Sequence, residues 1–544
     1  MSPISIISHD SFKNMFEGMN VHIMDRSVAV KKINVMYENT CNDLKLEISK
    51  VGHVCTTADI WSSKSRSFLG VTCHWLNEDL QRRSVALACS RFAGTHSYDR
   101  VAEALDDIHK RFHLDTNKIL ATVTDNGSNF VKCFKEFGCN IDTINDEYTG
   151  IEEDDEEDNS DTMKPCIQSD DEYCTFLTLD LSETQVDVEK KYLPQHVRCA
   201  SHTINLIATT DYNNSLKISN ALRLKNTQIF SKCSKLWNKS GRPKSAEVIK
   251  HFLGHNLTIP GVTRWNSTYD AVCKIVSIKE KLAPLCDKLM IPGFKQSEVS
   301  FLEEYITIMQ PLAETLDFLQ GEQNTYYGYL LPSLVSMKTK LQKIKSSGKI
   351  KQLYSPLEAI INSVEQRFKD IFSLNMNSKT AVIAAVVCPR FKMRWYSAFK
   401  VTTNDIPSFK EIQGWVVAAV ESFIEEIKKK VTVVSESDDP FFDFQEDESE
   451  IELPRLKNDI DANTNASLSE LEVLKYLNDT RITLDMLNDY KYIKQVFLKF
   501  NTILPSSASV ERLFSFAQIV NAPRRNALSD QNFEKLVVLK ANLK

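Results

Sequence analysis

The stretch Ile119-Leu-Ala-Thr-Val-Thr-Asp125-Asn-Gly-Ser-Asn129 starts as an apolar, β-prone run and ends abruptly in Asp, Asn, Gly and Ser. This pattern predicts a buried strand that carries Asp125 at its C-terminal tip. In open α/β sheets, ligands bind in the crevice beyond the carboxyl ends of the strands. Asp125 is therefore a candidate functional residue; the alternative is an aspartate that only forms the turn or caps the next helix.

Three further β-prone runs precede this strand and are joined by short polar turns, which predicts an antiparallel meander. They cover 53–61, 68–75 and 84–91, and the first carries Asp59 near its end. If the strand order is 3-2-1-4, the first and fourth strands are neighbours and Asp59 lies close to Asp125.

Apolar residues at helical spacing surround these strands. They predict helices at 9–52, at 98–113 with Ser97 as N-cap, and at 128–137. After a short strand and helix at 195–207, almost every patterned stretch up to 500 is helical, with a mixed stretch at 381–396. The later helices are predicted at 301–318, 329–344, 356–372, 408–429, 468–477 and 484–500, and two more follow after Ser507 and near Ser529.

The 544-residue chain has a net charge of −6, but its acidic residues are unevenly distributed. Ten Asp and Glu lie in 146–161 and nine in 435–453, with no Lys or Arg in either run. Both runs are typical of disordered loops, and the rest of the chain is net basic.

These patterns predict an α/β protein interrupted by a large all-α insertion. The predicted parts are N-terminal helices at 1–52, the first part of the core at 53–139, an acidic disordered loop at 140–192, the continued core at 193–210, the helical insertion at 211–490 and a C-terminal region at 491–544 that completes the core.

The thirteen cysteines include no C-x-x-C pair, and the sequence has no secretory segment and no apolar run of membrane-spanning length. We therefore expect reduced thiols in the nucleus or cytosol, no zinc finger and no membrane partner.

Two converging carboxylates can hold Mg²⁺ or Mn²⁺, which prefer oxygen ligands. Glu511 opens an amphipathic helix that could pack on the sheet, so it is the candidate third ligand. The alternative for Glu511 is a residue favoured only by the helix dipole.

Five motifs occur in one order along the chain, and together they resemble the hAT-superfamily DNA transposases and the BED-zinc-finger proteins derived from them. They are Ala58-Asp59-Ile-Trp61-Ser, Thr124-Asp125-Asn-Gly-Ser-Asn129, Cys199-x-x-His202-x-x-Asn205-Leu206, Thr263-Arg264-Trp265-Asn-Ser267 and Ser506-Ser-Ala-Ser-Val-Glu511-Arg-Leu-Phe-Ser515. The stretch from Leu528 to Asn542 resembles the C-terminal dimerisation region of the family.

The resemblance implies an RNase H-like mixed sheet in which Asp59, Asp125 and Glu511 bind divalent metal and cut DNA. It implies that Trp265 stacks on an extruded base during hairpin formation; the alternative is a core tryptophan that anchors the insertion. Cys199 and His202 match a pair that shapes the site, and an isolated pair of this kind is usually packing. The expected dimerisation residues are Leu513, Phe514, Phe533 and Leu536, and the expected DNA contacts include Arg264, Arg524 and Arg525, although most such arginines on a surface are simply solvated.

Two departures accompany this resemblance. We expect no BED finger in this sequence, and Cys388 stands in Val387-Cys388-Pro-Arg-Phe-Lys392 where relatives usually have Asp. The change suggests relaxed selection more than lost metal binding, because the position lies in the insertion.

Three functions remain open from the sequence. The first is a nuclear, dimeric or higher-oligomeric, DNA-binding protein with a metal-dependent strand cleavage and transfer site. The second is a domesticated, non-catalytic nuclear protein that dimerises and regulates transcription, and the third is an unrelated nuclease with an RNase H-like core.

Overall fold

The computed structural model describes residues 4–63, 66–138, 192–261, 265–321, 325–399, 406–434, 462–521 and 528–543. The acidic run at 435–453 and nearly all of the predicted acidic loop lie outside these residues. Gly138 and Leu193, on either side of that loop, are joined by a parallel bridge, so the chain leaves and re-enters the fold at one place.

One five-stranded mixed sheet forms the α/β part, with the order β3-β2-β1-β4-β5. The first three strands are antiparallel, while β1, β4 and β5 run parallel. The predicted meander is therefore confirmed, and the sheet has the 3-2-1-4 order on which the closeness of Asp59 and Asp125 was conditional. The strands are β1 Val54–Ser63, β2 Arg66–Leu76, β3 Arg82–Phe92, β4 Ile119–Thr124 and β5 His196–Arg198.

Helices cover one face of this sheet because their apolar sides recur at helical spacing. The cluster on this face joins Leu44 and Ile48 of α2 with Leu105 of α3 and Phe134 of α4. The helices are α1 Asp10–Asn14, α2 Arg26–Ser49, α3 Tyr98–Arg111 and α4 Ser128–Phe137.

The stretch predicted to be helical at 9–52 contains two helices, and it is not helical between α1 and α2. Gly18 has a left-handed φ of +82°, a conformation that interrupts a right-handed helix. Met15 and Met19, which suggested a buried helical face, are 69% and 61% exposed. Ser97 does stand at the N-cap of α3, but its side chain makes no capping hydrogen bond.

From Ala200 to Thr502 the described chain is helical, as predicted. The helices are α5 Ala200–Leu206, continued by a π-helical turn at Ile207–Asp211, α6 Tyr212–Leu216, α7 Asn220–Ser240, α8 Pro243–Leu253, α9 Asn266–Ser277, α10 Lys279–Leu289, α11 Gln296–Leu319, α12 Leu330–Ser346, α13 Tyr354–Arg367, α14 Lys369–Ser373, α15 Lys379–Val386, α16 Phe409–Val434, α17 Ala462–Asn478 and α18 Lys491–Thr502. Short 3-10 turns lie at Ile4–Ser8, Tyr327–Tyr329, Met376–Ser378, Arg394–Ala398 and Leu484–Asp489.

The helical region shares one hydrophobic core with the sheet. Cys55, Ala121 and Val197 of the sheet belong to the same buried cluster as Leu316 and Phe497 of the helices. The predicted helix at 484–500 is divided at Tyr490 into a 3-10 turn and α18. In the part of the chain that the structure describes, no helix is long and apolar enough to cross a bilayer.

The last two helices, α19 Ala508–Val520 and α20 Asp530–Asn542, return to the sheet. Their apolar residues form a third buried cluster with Phe68, Ala86 and Cys89 of β2 and β3. The C-terminal segment therefore completes the α/β part although more than three hundred residues separate it from β5 in the sequence.

Candidate functional site

The strand register puts Asp59 beside Asp125. Parallel strands β1 and β4 pair Cys55 with Ala121 and Thr57 with Val123. Continuing this register by two residues brings Asp59 opposite Asp125, on the same face, because side chains alternate along a strand. Neighbouring strands lie about 4.8 Å apart, so these two carboxyl groups lie side by side where β4 ends. The expectation that Asp59 stands near the end of its strand is wrong, because β1 continues to Ser63.

A glycine opposite Asp59 makes room for the helix that carries Glu511. Asp59 pairs with Gly70 in the antiparallel register of β1 and β2. A methyl group at Gly70 would lie 2.6 Å from Cε1 of Phe514 and 2.8 Å from Cγ2 of Val510. Helix α19 therefore packs directly on the backbone at Gly70, and Glu511, next to Val510 in its first turn, lies on the Asp59 side of the sheet.

The pKa of Asp59 agrees with this convergence of the three acids. Burial raises the pKa of the Asp59 carboxyl well above its ordinary value, and the negative charge of Asp125 raises it further. The Ile60 amide, which donates to Oδ1 of Asp59 at 2.7 Å, acts in the opposite direction, and the charge of Glu511 adds to the rise in pKa. The pKa of Asp59 therefore depends on the charges of both other acids of the candidate triad.

Three carboxylates are a suitable donor set for a hard divalent cation. Their mutual repulsion, seen at Asp59, is the electrostatic condition that a bound cation relieves. Across the described ranges, however, no three His, Cys, Asp or Glu side chains stand close enough to form a complete metal-binding group. The residue types and charges fit Mg²⁺ or Mn²⁺, and the carboxylates have to draw together to ligate it.

Neighbouring groups hold Asp125 in place, and no local pattern in the sequence indicates most of these contacts. The Gly127 amide donates to Oδ1 of Asp125 at 3.1 Å. The Thr124 hydroxyl donates to the Asp125 carbonyl at 2.8 Å and lies 2.8 Å from Nε2 of His196. The His196 ring stacks on Phe134 with centroids 4.6 Å apart, and burial, aided by the positive charge of Arg198, lowers its pKa to about 3.

Cys199 connects the end of β5 with the start of the helix that carries Glu511. Its sulfur accepts hydrogen bonds from the backbone amides of His202 and Ser507, each at 3.3 Å. The Ala200 amide donates to the Pro505 carbonyl at 3.0 Å beside it. Because Ser507 is the N-cap of α19, this buried thiol ties the start of the Glu511 helix to the end of β5. His202 is half-buried in the first turn of α5.

Trp265 lies in the core of the helical region. It is 8% exposed, its indole N–H donates to the Tyr305 hydroxyl at 3.2 Å, and its ring lies 5.8 Å from that of Tyr269. This placement corresponds to the anchoring alternative, since a ring in this position is not presented to a DNA base. Arg264, Arg524 and Arg525 lie outside the described residues.

The four expected dimerisation residues pack inside this chain. Leu513, Phe514 and Phe533 are buried in the cluster between α19, α20 and the sheet, and Leu536 packs against it. Substituting them therefore tests the fold of this chain before it tests any contact with a second copy. Cys388, the other departure from the family pattern, is fully buried in the helical core, and burial raises the pKa of its thiol to about 12.

Comparison with known proteins connects this architecture to transposases. Residues 57–147, which include Asp59 and Asp125, match the family model described as the ZBED1 RNase-like domain. The chain is 22% identical over 572 residues to "Putative AC transposase" of Zea mays, covering 99% of this chain and 63% of that protein. It is 24% identical over 274 residues to "Putative AC9 transposase" of Zea mays, covering 49% of this chain and 27% of that protein. The chain thus spans less than two thirds of the length of either relative.

Proposed function

We propose that this chain, a hAT-family transposase-derived protein, cleaves and transfers DNA strands at Asp59, Asp125 and Glu511. The observation that carries the proposal is the strand register that brings Asp59 beside Asp125, together with Gly70, which leaves room for the helix of Glu511. The raised pKa of Asp59, to which the charges of both other acids contribute, agrees with this geometry. Asp59 and Glu511 are 452 positions apart in the sequence, and they lie on the face of the sheet where Gly70 leaves space. Acids that repel one another destabilise a fold, so their presence together points to a function.

In this proposal the three acids bind one cation from three different elements. Asp59 and Asp125 would hold Mg²⁺ or Mn²⁺ from adjacent strands, and Glu511 would complete the donor set from α19. The cation, when bound, acts as a Lewis acid on the scissile phosphate and on the attacking oxygen. The Gly127 amide keeps the Asp125 carboxylate oriented, and Cys199 keeps the Glu511 helix against the sheet.

A nicking assay tests the proposal. Purified full-length chain is incubated with supercoiled plasmid and with a pre-nicked duplex, in Mn²⁺, in Mg²⁺ and in EDTA. We expect cleavage only with the divalent cation, and we expect Asp125→Asn and Glu511→Gln each to reduce it by about 100-fold or more, as for groups that act as one unit.

The matched control is Glu247→Gln, which removes one carboxylate from an exposed position of α8. It should cut like the wild-type chain. Equal activity of the wild-type chain and Asp125→Asn would contradict the proposal, and if both are inactive in Mn²⁺ the non-catalytic nuclear DNA-binding function replaces it.

The proposal includes DNA as partner, nuclear location and self-association, which the named relatives suggest by analogy. Since Leu513, Phe514 and Phe533 are internal, we place the contact between copies on outward residues of the C-terminal helices, where Ile519 is 51% exposed. Ile519→Asp should lower the mass measured by light scattering, whereas Gln518→Asp, at a neighbouring exposed position, should not. An unchanged mass for Ile519→Asp would remove this surface.

A further inference from the structure

A basic cleft lies between the sheet and the helical region, at the end of β1 away from Asp59. We define the interdomain cleft by Lys50, His53, Phe423, Lys491, Gln495 and Lys499, and its volume is about 490 Å³. Six residues of extended β1 separate His53 from Asp59, which is about 20 Å. The cleft is therefore separate from the acidic site.

Positive charge surrounds the opening of this cleft. Lys50 follows α2, and Lys491 and Lys499 lie two turns apart on α18, so three lysine side chains line one space. Glu78, from the turn between β2 and β3, is the carboxylate that faces them. The N-terminus of α18 is already capped, because the Glu472 carboxylate accepts from the amides of Tyr492 and Ile493. An anion in this cleft would thus be bound by lysine side chains.

The inner wall of the cleft is partly apolar. Leu76, Phe423 and Leu498 contribute hydrophobic surface, and the Lys499 ammonium lies 5.1 Å from the centroid of the Phe423 ring. Asn77 and Gln495 add carboxamide groups that can donate and accept hydrogen bonds. Apolar walls with a few polar groups, in a volume of roughly 300–1,000 Å³, are typical of small-molecule sites.

We propose that the interdomain cleft binds a nucleoside polyphosphate, with the phosphates on the lysines and the base against Phe423 and Leu498. The phosphates need the cationic opening, since ammonium groups bind them as point charges. The base needs the apolar wall and the carboxamides. A DNA duplex, whose major groove alone is about 12 Å wide, is too large to enter this cavity.

Isothermal titration of the full-length chain with ATP, in EDTA and at low salt, tests the proposal. We expect saturable binding with one site per chain, and weaker binding of inorganic pyrophosphate, which lacks a base. Lys50→Ala combined with Lys491→Ala should weaken ATP binding by about tenfold, since both side chains are exposed and each ion pair contributes modestly.

The matched control is Lys45→Ala combined with Lys494→Ala, which removes the same charge from α2 and α18 outside the cleft. It should bind ATP like the wild-type chain. Equal losses in the two double variants, equal affinity for ATP and pyrophosphate, or no binding of ATP would each overturn the proposal. Because EDTA removes divalent cations and no DNA is present, none of these outcomes bears on the nicking assay.

Discussion

Asp59 is a residue whose charge the folded chain disfavours. Burial and the charges of Asp125 and Glu511 all raise the pKa of its carboxyl above the ordinary value of 3.8. A carboxyl that binds its proton more tightly in the folded state stabilises the fold at low pH, and this stabilisation is lost as pH rises through the folded pKa. Asp59 therefore decreases stability at neutral pH unless a cation compensates it.

Replacing Asp59 by Asn should make the fold more stable at pH 7 in EDTA. We expect a gain of about 0.5–2 kcal/mol, in the range found when an unfavourable functional group is neutralised. The gain should shrink as pH falls and vanish well below 3.8, where Asp59 is protonated in both the folded and unfolded chains. Urea denaturation at a series of pH values measures it, and a loss of stability at pH 7 would contradict it.

A divalent cation should make the wild-type chain more stable than Asp59→Asn. Mn²⁺ that binds only the folded chain raises its melting temperature in proportion to RT ln(1 + [L]/Kd). We expect Mn²⁺ to stabilise the wild-type chain and to have little effect on Asp59→Asn or Asp125→Asn. Thermal melts in Mn²⁺ and in EDTA, with Glu247→Gln as control, measure this; equal shifts in all four proteins would show that Mn²⁺ binds elsewhere.

Trp265 is expected to matter for stability rather than for base stacking. Trp265→Ala should lower the free energy of unfolding by about 3–5 kcal/mol, the usual cost of removing a buried aromatic side chain. Tyr305→Phe, which removes only the acceptor of the indole N–H, should cost about 1–2 kcal/mol. Urea denaturation compares the two variants. A Trp265→Ala chain that is as stable as wild type but defective in DNA hairpin formation would support the stacking role instead.

Helix α19 is the element on which the site depends, and its position depends on Gly70. Gly70→Ala should destabilise the fold by about 1–3 kcal/mol, because the added methyl overlaps Phe514 and Val510 in a packed layer. It should also reduce metal-dependent nicking, since α19 carries Glu511 away from Asp59 when it moves.

Gly414→Ala is the control for this substitution. Gly414 has open space around it in α16, so alanine there should stabilise the helix by about 0.5–1 kcal/mol. Phe514→Leu should restore part of the stability lost in Gly70→Ala, because it removes the ring atoms that overlap. Urea denaturation and the nicking assay measure both effects, and a Gly70→Ala chain with wild-type stability and activity would refute the dependence on Gly70.

Helix α20 protects an edge of the sheet. The Asn542 side chain both accepts from the Ala86 amide and donates to the Ala86 carbonyl, each at 2.9 Å, so it occupies the place of a neighbouring strand. The Glu534 carboxylate accepts from Ser90 on β3 and from Arg111 on α3. An uncovered edge strand invites pairing with other chains, and α20 prevents this at β3.

For the whole molecule, Arg82 is the main polar connection between the sheet and the helical region. Its guanidinium donates to the backbone carbonyls of Thr325, Asn501 and Thr502 and lies 5.8 Å from the centroid of the Tyr326 ring. Burial lowers the pKa of Arg82 to about 10. Three carbonyls from two distant segments thus depend on one side chain.

Arg82→Ala should destabilise the fold by about 3 kcal/mol or more, because it leaves these buried carbonyls without donors. Arg83→Ala, at the next residue, should cost about 0–1 kcal/mol, since Arg83 forms an exposed ion pair with Glu47. Urea denaturation and limited proteolysis compare the two variants. Equal effects would show that Arg82 does not hold the two parts together.

Much of the site could be predicted because Asp59 and Asp125 lie in or directly after apolar, β-prone runs. Those runs predicted the strands that the sheet contains, and the motifs predicted the similarity to transposases that the comparisons found. A glycine within a strand often marks a close approach of another element, so Gly70 is itself a local signal for the packing of α19. The supporting contacts of His196 and Cys199 join residues far apart in sequence, and no local pattern indicates them.

The sequence by itself determined which segments become helices and strands, which acids those strands carry and which proteins the chain resembles. Only the tertiary structure decided what each apolar residue packs against, because periodicity shows that a side chain is buried but not what buries it. Phe514 and Phe533 were expected at a contact between two chains and lie instead in the core of one. Likewise, α19 packs on the Asp59 side of the sheet only because Gly70 leaves space on the neighbouring strand β2. This contact exists only in the folded chain, where the N-terminal strands meet the C-terminal helix.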